Sequence, residues 1–245
     1  MIKSGNPALS KRSFNNLKST THEVMTLDGT VNKTAISLAI LLFAAYYTYS
    51  NAIMDYVFIG FGGGIIVALI TIFKKEWSPI TVPIYAVLEG LFLGGFSKRF
   101  GDMFEPGIVP QAVCLTLGIL IALLFAYKTK IIKATENFKL GVFAATAGIG
   151  VVYLISLLAS LFGSGGLPIM DPTNASMISV GFSLFVVVIA SLNLVMDFDF
   201  IEQGVKNGAP KYMEWYGAFG LLMTLIWLYL EILKLLAKLL SLIHI

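Results

Sequence analysis

Asp197 and Asp199 close one long apolar run, and Glu231 lies inside the next, between TLIWLYL and ILKLLAKLLSLI. Glu89 stands within another, in YAVLEGLFLGG. A carboxylate in hydrocarbon is costly, so it is retained where it pairs, holds a proton or meets a passing cation. Each of these acids has two readings. Asp197 and Asp199 either face water at a helix end or form a repelling pair, in which one keeps a proton or a cation bridges both. A helix C-terminus disfavours anions, so two acids there need compensation. Glu231 has Lys234 three residues on, on the same helical face, for a local ion pair. If that lysine snorkels outward, Glu231 is left as a buried acid. Glu89 has no basic residue within a helix turn. It needs a hydroxyl or backbone partner, or a place in an ion path. Asp55 reads as interfacial, Glu202 as a solvated loop residue and Asn193 as an interhelical hydrogen-bonding group.

Enzyme signatures are missing. The two histidines are His22 and His244, near either end, which excludes HExxH zinc chemistry and a serine–histidine dyad within the apolar runs. No motif sets two aspartates on facing helices, so the chain is read as a non-enzyme without a cofactor. Cys114, the single cysteine, has no internal disulfide partner and is read as a small packing residue.

The elements that must position these acids are membrane spans. The chain is 57% hydrophobic and 13% charged, with mean hydropathy +0.85, whereas soluble domains carry about 25% charged residues. Seven apolar runs fall at 35–50, 52–73, 80–97, 108–127, 140–161, 176–196 and 213–236. A spanning helix takes about 20 residues, so the first and third runs need flanking residues or little tilt. Solid runs without β-barrel alternation give an all-α integral membrane protein, a seven-transmembrane-helix bundle. Residues 1–30 read as a polar cytoplasmic N-terminal tail with a short amphipathic helix at Pro7–Leu17, and residues 31–245 as the seven-helix membrane domain. That tail holds no apolar stretch of the signal-peptide type.

Small residues at four-residue spacing mark close helix approach: Gly60 with Gly64, Gly90 with Gly94, and Ala144 with Gly148. The loop FGSGGLPIMDPTNAS carries two turn signals, Gly165-Gly166 and Asp171-Pro172. Thirteen of the 17 basic residues fall on the tail or on the loops after the second, fourth and sixth runs. By the positive-inside rule the N-terminus is cytoplasmic, and seven crossings put the C-terminus outside. The spread of this charge over separate loops argues against nucleic-acid binding.

YAVLEGLFLGG, MDFDFIEQG and LYLEILKLLAKLL, with NPALSKRSF and MTLDGTVNKTA before them, resemble the transmembrane Bax-inhibitor-motif family in its bacterial branch. The resemblance spans nearly the whole chain. It implies a central last helix wrapped by six others, and a pH-sensitive acid latch and calcium site between the sixth and seventh helices. Asp197 resembles the sixth-helix acid and Glu231 the seventh-helix acid. Three departures stand out. The second acid is Glu rather than Asp, and the stretch between the acids is about ten residues longer than the family usually has. The second helix lacks the arginine that locks the aspartate in some relatives, with Lys74 or Lys75 as the nearest substitute. An unbroken seventh helix from Met213 would place Glu231 about 27 Å along it, out of reach of Asp197. Either that helix starts later, or it breaks near Gly217 or Gly220, or the latch differs here.

The resulting expectation is a pH-sensitive calcium-leak channel of the bacterial inner membrane. Asp197, Asp199, Glu231 and Glu89 would form or gate the path, and calcium, or alternatively protons, would pass. Asp197 and Glu231 are the expected Ca2+ ligands. The rival classes are a non-conducting regulator that binds a membrane protease or another membrane protein, and a secondary transporter.

Overall fold

A computed structural model describes residues 23–53, 55–163 and 165–243 of the chain. The expected amphipathic helix at Pro7–Leu17 and both histidines lie outside those residues. Seven long helices follow one another: α1 (Leu27–Asn51), α2 (Asp55–Phe73), α3 (Ser78–Met103), α4 (Ile108–Lys128), α5 (Glu136–Leu161), α6 (Met177–Lys206) and α7 (Met213–Ile243). Each is long and apolar enough to cross a membrane. Among the described residues the extended structure is a single antiparallel bridge, Val24 to Pro210. The chain is an all-α seven-span membrane protein.

The spans exceed the apolar runs because polar residues join the helix ends. Thr26 caps α1 by accepting from the Gly29 N–H, and Thr135 caps α5 by accepting from the Phe138 N–H. α1 and α3 reach 25 and 26 residues, so the two short runs borrow their flanks. α6 carries on past Met196 to Lys206. This corrects the placement of Asp197 and Asp199 at a helix end and of Glu202 in a loop: all three lie within α6, and Glu202 pairs with Lys206 at 2.6 Å.

Burial differs sharply between spans. Two thirds of α7's apolar window is buried (67%), against 11% for α5 and 17% for α2 and α4. That is the burial a last helix wrapped by the others requires. The lipid-facing flanks are apolar, with Phe58, Phe125, Leu161 and Phe162 all strongly exposed.

The chain divides into two compact units. In one, residues 23–99 and 197–223, α1, α2 and α3 pack with the C-terminal part of α6 and the first turns of α7. A Cβ on Gly60 would strike the α3 backbone at Leu88 and Phe92, and a Cβ on Gly90 or Gly94 would strike the α1 backbone at Leu41 and Ala45. Both GxxxG pairs are therefore packing seams, where missing side chains let backbones meet. The Thr71 hydroxyl donates to Thr81 at 2.7 Å across α2 and α3. Tyr85 meets Phe219 edge-on at 5.0 Å.

In the other unit, residues 100–196 and 224–243, α4 and α5 pack with the N-terminal part of α6 and the C-terminal part of α7. Ile149, Val186 and Ile189 form its buried cluster, with Trp227 of α7 and Tyr153 of α5 against it. The Asn193 amide donates to the Thr146 hydroxyl at 2.8 Å, joining α6 to α5 as expected. The third small pair behaves differently. Ala144 and Gly148 are exposed, and a Cβ on Gly148 would meet nothing, so they form no seam among the described residues. Cys114 is also exposed rather than packed inside.

Candidate functional site

In the unit holding the end of α7, three charged side chains line up at helical spacing: Glu231, Lys234 and Lys238. Glu231 is 3% exposed. Lys234 donates to its Oε1 at 2.9 Å, so the local pair read from the sequence is made. The Lys234 ammonium also lies 5.4 Å from the centre of the Tyr153 ring, a cation–π distance. The Tyr153 hydroxyl is buried beside the Glu231 carboxylate and the Trp227 side chain.

Beside these groups is a cavity of about 630 Å³, lined by Tyr153, Ser156, Leu157 and Ser160 of α5, Lys234 of α7, and residues 165–168, Met170 and Asp171 of the following loop. The loop folds over it because Gly165 and Gly166 adopt φ of 75° and 83°, a region that favours glycine. The Ser156 hydroxyl accepts from the Leu167 N–H at 3.0 Å and pins the loop to α5. Asp171 accepts from the Thr173 N–H and hydroxyl at 2.8 and 2.7 Å, closing the second turn. Those two bonds hold the Asp171 carboxyl below the usual carboxylate range.

Lys238 was not singled out from the sequence, where it counted only as a basic residue near the C-terminal end. It is 1% exposed. Its ammonium donates to the Ile169 carbonyl at 2.7 Å, the Ser179 carbonyl at 3.3 Å and the Ser183 hydroxyl at 2.8 Å. All three of its donors are used, which ties the loop before α6 and the start of α6 to α7. The signal was present in the sequence: Lys238 follows Glu231 by seven residues, two helical turns along one face.

In the other unit, Asp197 is wholly buried, at 0% exposed. Asp199 is half-buried and accepts from the Gln203 amide. Two residues apart on a helix do not face each other, so the two carboxylates leave α6 in different directions. Glu89 is buried on α3, and a Cβ on Gly64 of α2 would lie 2.5 Å from its Oε1. The missing side chain at Gly64 makes room for that carboxylate. Lys75, the nearest substitute for an arginine on the second helix, lies 5.6 Å over the Tyr216 ring.

Glu214 is the second residue the sequence reading missed. It is 1% exposed in the first turn of α7. Its Oε1 accepts from the Thr26 N–H at 3.0 Å and the Thr26 hydroxyl at 2.8 Å, and Lys211 stands 3.3 Å away. A Cβ on Gly29 would collide with it. The Met25 N–H donates to the Ala209 carbonyl at 2.7 Å beside it. The Lys211–Glu214 spacing of three residues was the available sign.

Asp197 and Glu231 belong to different units. α7 is continuous from Met213. This removes a later start or a glycine break, the two alternatives that would shorten the rise to Glu231 of about 27 Å. Among the described residues no cluster of three or more His, Cys, Asp or Glu side chains stands ready for a metal.

The family model described as Bax inhibitor 1 like matches residues 6–241. The chain belongs to the Bax inhibitor 1 like family. The match takes in all seven spans and both acids carried over from the resemblance, Asp197 and Glu231. No curated protein and no solved structure matches the chain.

Proposed function

We propose that this Bax inhibitor 1 like membrane protein is a pH-sensitive leak pathway for cations, with calcium as its main cargo. One observation carries the reading. Asp197, Glu89 and Glu231 are buried within helices of spanning length, at 0%, 9% and 3% exposure. Acids at such positions line ion paths or proton relays far more often than they serve packing. Calcium would shed water gradually against carboxylates, carbonyls and hydroxyls. Protonation removes the negative charge that attracts the cation and changes which groups hold the helices, which makes flux depend on pH. The distribution of its basic residues supports an N-terminus in the cytoplasm, and the likeness to the family's bacterial branch supports a bacterial inner membrane.

A second reading has one observation in its favour. Lys128, Lys130 and Lys133 are exposed together between α4 and α5, with Ile131 at 73% exposure beside them. Such a surface suits a non-conducting regulator that docks on another membrane protein. Calcium influx into dye-loaded liposomes holding the purified protein, from pH 6 to 8, separates the two. A leak pathway gives influx that Asp197→Asn changes. A regulator gives none, and loses its effect in cells when the three lysines are replaced.

A further inference from the structure

The cavity beside the end of α5 joins polar groups to a lipid-facing surface. Ser156 and Ser160 stand in the last two turns of α5, which ends at Leu161. Their hydroxyls therefore lie at one end of a span, the level at which hydrocarbon gives way to headgroups. Leu157 lines the cavity and is 57% exposed, and Leu154, Leu158 and Leu161 are exposed around it. The cavity rim is thus continuous with the acyl-chain face of α5. A volume of about 630 Å³ is ample for a headgroup, since small-molecule sites run to about 300–1,000 Å³.

The polar groups of the wall carry both signs. Lys234 spends one hydrogen bond on Glu231 and its side chain is 23% exposed, which leaves two of an ammonium's three donors. The Ser156 hydroxyl accepts from the Leu167 N–H and keeps its own proton to donate. With Ser160 these groups suit a phosphate. Asp171 suits a cation: both Thr173 bonds fall on Oδ1 and leave Oδ2. The balance of charge decides between headgroups. Asp171 and Glu231 are matched by Lys234 and Lys238, and Lys238 lies within electrostatic reach of both acids. A set of two acids and two lysines has no surplus positive charge for an anionic lipid, yet offers one partner of each sign to a zwitterion. A primary ammonium donates hydrogen bonds to a carboxylate, which a quaternary choline cannot do.

We propose that this cavity is a lipid site for one phospholipid of the ethanolamine class, with its phosphate on Lys234, Ser156 and Ser160, its ammonium on Asp171, and an acyl chain along the exposed leucines of α5. Such a lipid ties the loop at 165–171 to α5 and α7, whether or not the protein conducts cations.

The test reads which lipid stays bound. Full-length protein in nanodiscs of equal parts phosphatidylethanolamine, phosphatidylcholine and phosphatidylglycerol, with matched chains, is released into a native mass spectrometer. Wild type should retain one phosphatidylethanolamine several-fold more often than either other lipid. Asp171→Asn keeps an Oδ1 acceptor for Thr173 but loses the charge, and should bring ethanolamine retention down to the choline level. Ser160→Trp fills the cavity and should remove the retained lipid. An unchanged melting temperature certifies the fold of each variant. Millimolar O-phosphoethanolamine, a headgroup without chains, should displace little. The proposal is overturned if the folded wild type holds the three lipids equally or prefers phosphatidylglycerol, if folded Ser160→Trp retains the lipid, if Asp171→Asn keeps the preference, or if the soluble headgroup displaces the lipid fully.

Discussion

Two glutamates on one helix, each three residues from a lysine, are held in opposite ways. Glu214 lies in the first turn of α7, where the helix dipole favours an anion. It accepts two bonds from Thr26 besides its pairing with Lys211, and it anchors the segment that leads into α1. Glu231 lies mid-helix, without help from the dipole, and its charged partner is Lys234, whose side chain reaches solvent. Both are buried to a similar degree, at 1% and 3% exposure. Burial by itself therefore does not separate a structural acid from an exchangeable one. The number of partners, and whether a partner can leave, does.

The largest expected effect breaks the saturated member. Glu214→Ala should cost about 3 kcal/mol, the scale for removing one side of a buried pair, and should lower the melting temperature measured in detergent. A glycine pair sharpens the contrast between crowded and open positions. Gly94→Ala drives a Cβ into the Ala45 backbone and should cost about 2 kcal/mol, as overpacking does. Gly148→Ala meets nothing and should leave stability unchanged or slightly raised, given alanine's higher helix propensity. Titrated unfolding of the two variants side by side checks this.

The lysines extend the comparison. Lys238→Met strips three acceptors of their donor and should cost about 1–2 kcal/mol, whereas Lys234→Arg keeps a cation on the buried Glu231 carboxylate and should cost less. Thermal melts of both variants rank them. The smallest effect is local and depends on pH. The Asp171 carboxyl is held below its ordinary value by Thr173, so its contribution is present above the unfolded value of about 3.9 and is lost as pH falls through the lower folded value. Thr173→Val removes the hydroxyl donor to Asp171 and keeps the N–H donor, so the loop at 162–176 should be cleaved somewhat faster than wild type near neutral pH. That difference should shrink in strong acid. Limited proteolysis with an acid-stable protease follows it.

Much of this was legible in the residues. The seven spans follow from apolar runs of hydrocarbon length, and the Lys234–Glu231 pair, the Asn193 cross-link and the two GxxxG seams follow from spacing. The end of α6 was misread because hydropathy drops at Asp197 while the helix does not. DFDFIEQGVK keeps Phe198, Phe200 and Ile201 buried among its acids, so burial continues where the apolar run stops. Gly148 and Cys114 were misread because spacing reveals a small stripe but not whether any helix lies against it. Lys238 and Glu214 were passed over because lysines and glutamates near span ends read as surface groups, and only tertiary partners distant in sequence, Ile169 and Thr26, draw them inside.

The most direct measurement takes Glu231→Gln and Glu214→Gln together, in liposomes for calcium influx between pH 6 and 8 and in detergent for melting. The account predicts that Glu231→Gln changes the size or pH dependence of influx while its melting temperature stays near wild type. Glu214→Gln should melt lower and, where folded, keep the wild-type pH profile. No influx from the folded wild-type protein at any pH, or a Glu231→Gln variant that melts low and conducts as wild type, would contradict it.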